Sequence, residues 1–316
     1  MTSPIGLKTR VVSMVIALIA LCGFLLWTPD RARPLLEERY LAAPSDMVEV
    51  AGVRLHVRDS GPKDAPAIVL LHGFASSLHT WEAWSRVLEV DHRVIRFDLP
   101  GSGLSPPDPS GDYTDARSIQ LLIALLDQKG VARTSVIGNS IGGRIAWTFA
   151  ATHPDRVDRL VLVSPDGFAS PGFSYGKPPH VPVAFHLMRY VLPKPLVRMS
   201  IAPAYADPAA LTEQTLDRYD DLLRAPGARD AMLARMAQTV LTDPVPLLRR
   251  IRAPTLLVWG ERDGLIPFAN SADYLREIPD VRLIALPGVG HLPQEEAPAA
   301  SVAPVLAFLS PANTGR

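Results

Sequence analysis

Residues Gly138-Asn139-Ser140-Ile141-Gly142-Gly143 place a serine in the spacing G-x-S-x-G. They lie between a short apolar run, Ser135–Ile137, and a helical pattern, Ile141–Thr152, so the serine falls at a strand-to-helix junction. On so sharp a turn, side chains two residues to either side would collide with strand or helix, which accounts for the flanking glycines. The turn lifts the Ser140 hydroxyl above the sheet. It also leaves the Ile141 N–H at a helix N-terminus, where it can stabilise an oxyanion. A serine hydroxyl becomes nucleophilic only when a base removes its proton. Of the eight histidines, His291 is the candidate base, because Leu286-Pro-Gly-Val-Gly-His291 directly follows the last apolar strand-like run. His72 follows another such run, but its neighbour Gly73 suits a backbone role. The base needs a carboxylate to fix its tautomer. Asp263, just past the run ending at Val258-Trp259-Gly260, is the candidate, with Asp166 in Val163-Ser-Pro-Asp166 as its rival. Asp98 reads as an organiser of the loop from 98 to 105. The His72-Gly73-Phe74 turn offers the Phe74 N–H as a second oxyanion donor.

The elements that must position these groups alternate along the chain. Val48–Val50 and Val53–Arg58 flank Ala51-Gly52 as a hairpin. Ile68–Leu71, Val94–Phe97, Ser135–Ile137, Leu160–Val163, Thr255–Val258 and Arg282–Leu286 are short apolar runs of the buried-strand type. Helical patterns at Thr114–Lys129, Ile141–Thr152 and Ala269–Glu277 separate them. Buried strands alternating with helices predict an α/β fold with a mostly parallel sheet covered on both faces. The alternation stops between Pro165 and Pro254. Nine of the 31 prolines fall between Pro165 and Pro208, and helical patterns follow at Leu211–Leu223 and Arg229–Leu241. This interval, about 166–250, reads as an inserted helical cap.

Val11 to Trp27 is a run of 17 uncharged, mostly apolar residues. A helix of that length rises ~25 Å, the short end of a bilayer span. A cleaved signal peptide is the alternative, but no small-x-small cleavage site follows the run. The chain therefore divides into a membrane anchor and tether over 1–45, with the helix at about 11–27, and a catalytic domain over 46–316. Basic residues stand on both sides of the helix: Lys8 and Arg10 before it, Arg31, Arg33 and Arg39 after it. The short N-terminal tail then favours an extracytoplasmic (periplasmic) catalytic domain. Thirty-two basic and 32 acidic residues give zero net charge, which lacks the basic surplus of a nucleic-acid binder. A single cysteine, Cys22, excludes an intramolecular disulfide and a thiolate metal cluster. No metal and no cofactor are expected.

From about Val48 to Leu309 the chain resembles the α/β-hydrolase fold superfamily, through LHGF (71–74), DLPGSGLS (98–105), GNSIGG (138–143), VWGERD (258–263) and GHLPQEEAP (290–298). The order Ser140, Asp263, His291 is the nucleophile–acid–base order of that architecture. The resemblance implies that these three form a catalytic triad, that Phe74 and Ile141 form the oxyanion hole, and that the insert is the cap. Anchor plus hydrolase is similar to membrane-bound monoacylglycerol lipases and bacterial lipases and esterases. GNSIGG also resembles the elbow of carbon–carbon bond hydrolases of aromatic ring-cleavage products. Those enzymes usually carry tryptophan after the glutamine downstream of the histidine, whereas this chain has Gln294-Glu295. Haloalkane dehalogenases and epoxide hydrolases place aspartate where Ser140 stands. The expected activity is hydrolysis of a small-molecule or lipid ester through an acyl-enzyme. The alternatives are carbon–carbon hydrolysis, or a non-catalytic receptor that keeps the fold for ligand binding.

Overall fold

In a computed structural model of the chain, residues 4–169 and 175–310 are described. The expected spans 1–45, 46–316 and 166–250 include residues 1–3, 311–316 and 170–174, which lie outside them. Eight strands form one sheet: β1 (Met47–Val50), β2 (Val53–Ser60), β3 (Ala67–Leu71), β4 (Arg93–Phe97), β5 (Thr134–Asn139), β6 (Val157–Val163), β7 (Thr255–Gly260) and β8 (Val281–Leu286). Their spatial order is β1-β2-β4-β3-β5-β6-β7-β8. The pairs β1–β2 and β2–β4 are antiparallel, and every pairing from β4 onward is parallel.

The helices, in chain order, are α1 (Pro4–Leu26), α2 (Arg33–Tyr40), α3 (Glu82–Leu88), α4 (Asp115–Gln128), α5 (Ile141–Thr152), α6 (Lys194–Ile201), α7 (Glu213–Leu223), α8 (Ala228–Gln238), α9 (Val245–Leu248), α10 (Ser271–Glu277), α11 (Pro293–Glu296) and α12 (Pro298–Leu309). The two-residue period of a strand sorts the core into two layers. Val69, Leu71, Val136, Leu257 and Trp259 point to one face, where α4 and α5 add Leu121, Leu122, Ile145 and Phe149. Ile68, Leu70, Ile137, Leu256 and Val258 point to the other, where Trp84 of α3 and Val305 of α12 meet them. The sheet is therefore apolar on both sides, and its strands read as continuous apolar runs.

Between β6 and β7 the chain leaves the sheet and builds α6 to α9 with short 3-10 turns. This segment has its own apolar cluster, including Leu192, Val197, Tyr205, Leu216 and Tyr219, which Leu292 joins from the chain beyond β8. Helix α1 contains the stretch Thr9–Leu26, with mean hydropathy 2.3 and none of it buried, long and apolar enough to cross a membrane.

The stretch after α1, expected as a polar tether, is folded onto the domain instead. Its helix α2 buries Leu36, 2% exposed, against Leu104, Leu222 and Ala228. Arg31 and Arg39 both bridge to the buried carboxylate of Asp221, to which the Tyr40 hydroxyl also donates. Two adjacent leucines, only one of them buried, among charged neighbours give no readable period, so only the partners on the cap reveal that this strap is ordered.

Candidate active site

Ser140 sits between β5 and α5 at φ 56° and ψ −122°, a left-handed backbone conformation that non-glycine residues rarely adopt. The neighbours make the turn possible. A Cβ on Gly138 would lie 2.2 Å from the carbonyl oxygen of Gly142, and one on Gly142 would lie 2.3 Å from that of Leu71. The strained residue is held by its own backbone: Ser140 N–H donates to Val163 at 3.1 Å, and its carbonyl accepts from Asp166 and Arg144. As first residue of α5, Ile141 has an N–H with no intrahelical partner, beside the serine. The turn carrying Phe74 passes over the same point, since a Cβ on Gly73 would be 3.2 Å from Ser140 Cβ.

His291 lies on the loop after β8 and Asp263 on the loop after β7, adjacent strands that bring the two together. His291 Nδ1 is 2.8 Å from Asp263 Oδ2, and both side chains are buried. The other carboxylate oxygen accepts the N–H groups of Leu265 and Ile266, each at 2.9 Å. A carboxylate can only accept, so Nδ1 carries the ring proton and Nε2 is the basic nitrogen. Two contacts fix the loop: His291 N–H donates to Ala204 of the cap at 2.7 Å, and Asn139 Nδ2 donates to the His291 carbonyl at 3.1 Å. Asn139 is fully buried and also bonds Val163, so it ties the serine turn to the histidine loop. In the sequence Asn139 occupies the variable position of G-x-S-x-G, where nothing local marks it.

The rival residues have other partners. Asp166 forms an ion pair with Arg144, which Asp115 shares. Burial pushes the Asp166 carboxyl up from its ordinary value, against the opposing pull of Arg144. His72 Nδ1–H donates to the Gly73 carbonyl at 2.8 Å while Nε2 accepts the Leu99 N–H at 3.0 Å. That pattern requires the neutral ring, and burial lowers its basicity accordingly. Asp98 accepts the N–H groups of Leu78 and Leu104 and lies 2.8 Å from His56 Nδ1. Both are completely buried, and they order the loop from 98 to 105.

Ser140 and His291 line one cavity of about 250 Å³ together with Phe74, and the cap closes it with Phe185, Met188 and Met236. No lysine or arginine is among its described lining residues. Ile141 lines the smaller cleft next to it. At the cap's edge, Glu295 accepts Arg218 Nη2 at 2.7 Å, the Tyr219 hydroxyl at 3.3 Å and the Tyr205 hydroxyl. Burial, reinforced by the Glu295 charge, raises the Tyr219 phenol well above its ordinary value, so it stays a neutral donor. Gln294-Glu295 was legible only as a departure from a tryptophan-bearing pattern; its partners lie 76 to 90 positions away. Among the described residues, no group of three His, Cys, Asp or Glu is placed to hold a metal ion.

Comparison with known proteins places this geometry in a family. Residues 66–298 match the family model described as alpha/beta hydrolase fold. A dihydrolipoyllysine-residue acetyltransferase component of an acetoin cleaving system from Pseudomonas putida is 30% identical over 83% of this chain and 68% of its own length. A 2-hydroxy-6-oxononadienedioate/2-hydroxy-6-oxononatrienedioate hydrolase from the same species is 30% identical over 77% of this chain and 87% of its own. Among solved structures, a membrane phospholipase A described as a bacterial virulence factor superposes with TM-score 0.72 and 23% identity, over 96% of this chain and 98% of that one. By the match of its sheet, elbow and loops, this chain belongs to the α/β-hydrolase fold family.

Proposed function

We propose that the protein is a membrane-anchored serine hydrolase that cleaves carboxylic esters, with Ser140 as nucleophile, His291 as base and Asp263 as its orienting acid. The observation that carries the reading is the strained Ser140 turn opening into an apolar cavity shared with the Asp263-paired His291. Ser140 Oγ attacks the ester carbonyl as His291 Nε2 takes its proton. The negative charge that develops on the carbonyl oxygen is received by the N–H groups of Phe74 and Ile141. His291 then protonates the departing alcohol. Water, deprotonated by the same nitrogen, attacks the acyl-enzyme, and the acid leaves as Ser140 recovers its proton. Asp263 holds the ring and stabilises the transient imidazolium. The apolar stretch Thr9–Leu26 supports attachment to a membrane.

Carbon–carbon hydrolysis of ring-cleavage dienoates is the second reading, favoured by relatives such as the dienedioate hydrolase above. The cavity lining argues for the ester. A dienoate carries carboxylate charge, and the cavity that Ser140 and His291 share is lined without lysine or arginine, the nearest guanidinium groups, Arg218 and Arg235, lining the adjoining cleft. A fluorophosphonate probe should label the wild-type protein and fail on Ser140→Ala. The unlabelled wild-type enzyme should hydrolyse neutral p-nitrophenyl esters and leave 2-hydroxy-6-oxo-dienoates intact. Dienoate turnover exceeding ester turnover would replace the ester reading with the second one. No labelling of the wild type would leave a ligand-binding receptor.

A further inference from the structure

The point where the anchor ends and the wall of the cavity are the same place. Trp27 is exposed, and Thr28, the next residue, is buried. Thr28 N–H donates to the Tyr190 carbonyl at 2.8 Å, and its hydroxyl accepts the Leu192 N–H at 3.0 Å. Arg229 of α8 closes the joint from behind. Its Nη1 reaches the carbonyls of Thr28 at 2.8 Å and Met188 at 3.4 Å, and its Nη2 reaches Asp30 at 2.5 Å. The cap segment 188–192 is thus fastened to the first turn of chain beyond α1 and cannot lie far from the surface that α1 enters.

That segment carries apolar side chains on its outer and its inner side, next to the exposed His186 and the Arg189–Asp230 ion pair. Val183, Leu187 and Tyr190 are 81%, 63% and 62% exposed, while Phe185 and Met188 from the same stretch line the cavity with Ser140 and His291. A cluster of exposed large apolar side chains beside a bilayer helix has a natural cover in lipid. Trp27 and Tyr190 both line one cleft at the joint, together with the charged Asp30, Arg189, Arg229 and Asp230, a mix of amphipathic aromatics and charges suited to headgroup level.

We propose that the cap segment Val183–Tyr190 docks into the bilayer beside α1 and forms a side door through which a lipid ester passes from the membrane into the cavity. The occupant of this surface is the lipid bilayer. Val183 and Leu187 enter the acyl region, and Phe185 and Met188 carry the contact on to the interior. The inference rests on the reading of α1 as a membrane helix and of Ser140 as an esterase nucleophile.

The test uses the full chain in nanodiscs of phosphatidylcholine and phosphatidylglycerol, with Cys22→Ser as background. An environment-sensitive fluorophore on Leu187→Cys should show blue-shifted emission, quenching by spin-labelled acyl chains and protection from iodide. The same label on Ile16→Cys reports the anchor alone. Iodide access at 187 with protection at 16 overturns the docking and leaves the anchor standing; access at both overturns the anchor and the docking with it. In parallel, Val183→Asp with Leu187→Asp should lower turnover of bilayer-embedded monooleoylglycerol about tenfold and leave p-nitrophenyl butyrate hydrolysis within about twofold. Equal loss on both substrates, or none on either, overturns the side door. The fluorescence needs no catalysis, so a failed esterase reading is told apart by absent fluorophosphonate labelling at Ser140 or by dienoate turnover exceeding ester turnover.

Discussion

The sheet and the cap meet at the cavity beside Ser140, and they are held by different forces. The sheet is a continuous apolar slab: β3, β5, β6 and β7 carry side chains buried on both faces, and two layers of helices close over them. Its site loops are locked by backbone groups, as where His72 spans Gly73 and Leu99 or where Asp98 gathers Leu78, Leu104 and His56. The cap has a much smaller apolar cluster. It is fastened largely by charged side chains, with Glu295 on Arg218, Asp221 on the strap's Arg31 and Arg39, and Arg229 on Asp30. The proposed triad therefore sits on the sheet frame, while the cap wall of the cavity hangs from polar latches. Such latches hold fast when complete and fail sharply when one partner is removed.

The largest effect belongs to the frame. Ser140→Ala should lower kcat on short-chain esters by on the order of 10⁵-fold, and Asp263→Asn by roughly 10⁴-fold, without moving the unfolding transition. Steady-state kinetics beside a thermal melt check both. An Asp263→Asn enzyme that keeps more than a tenth of its activity would remove Asp263 from the orienting role.

Breaking the latch tests the other half of the comparison. Glu295→Ala leaves the Arg218 guanidinium, four-fifths buried, without its carboxylate, a change of about 3–5 kcal/mol where such pairs are broken. The loss should fall on the cap. Hydrogen exchange should rise in α6 and α7 while β3, β5 and β6 keep their protection. Exchange rising equally in the central strands would show cap and sheet to be one cooperative unit.

Acid separates the two regions in the opposite sense. Burial alone would raise the Asp98 carboxyl, but His56 against it brings it down to about 2, below its ordinary 3.8. A depressed carboxyl stabilises the fold fully above the ordinary value, and the contribution is lost as pH falls from there through about 2. Its size is about 2 kcal/mol at neutral pH. Urea unfolding monitored by tryptophan fluorescence should show that decline between pH 4 and pH 2. A flat profile there would mean that Asp98 is not held as an ion against His56.

How far the sequence disclosed this molecule follows the same division. All eight strands were readable within a few residues: β3 to β8 are short apolar runs bounded by turn residues, and β1 and β2 flank the Ala51-Gly52 turn as a hairpin. The elbow, the His291 loop and the Asp263 loop were equally plain, since each requires glycines and a strand just before it. The cap was legible as a break in the alternation, with α7 and α8 near their expected places, but its attachments were not. Glu295 meets Tyr205, Arg218 and Tyr219 across long stretches of chain, and a glutamate on a polar run carries no mark of its partner. The strap was hidden for the same reason: Arg31, Arg39 and Tyr40 look like a solvated tether until Asp221 is brought beneath them. Asn139 was hidden differently, by standing where the motif allows any residue.

The smallest expected effect sharpens what counts as a latch. On the outer face of α6 and α7, Lys194 lies 3.0 Å from Glu213 and 2.6 Å from Asp217, and Arg198 also pairs with Glu213. By distance alone this network rivals the Glu295 contacts. Its members are exposed, however, with the Glu213 side chain 70% open to solvent, whereas that of Glu295 is 8% open. Water and salt screen exposed charges, and two long side chains lose freedom in holding one geometry, so such pairs add little to stability. Removing the Glu213 charge also leaves no buried ion behind, because Lys194 and Arg198 turn to solvent. Glu213→Gln should therefore melt with the wild type within replicate scatter and leave hydrogen exchange in α7 unchanged. A fall in Tm approaching that of Glu295→Ala would mean that the number of ion pairs, and not their burial, holds the cap to the sheet.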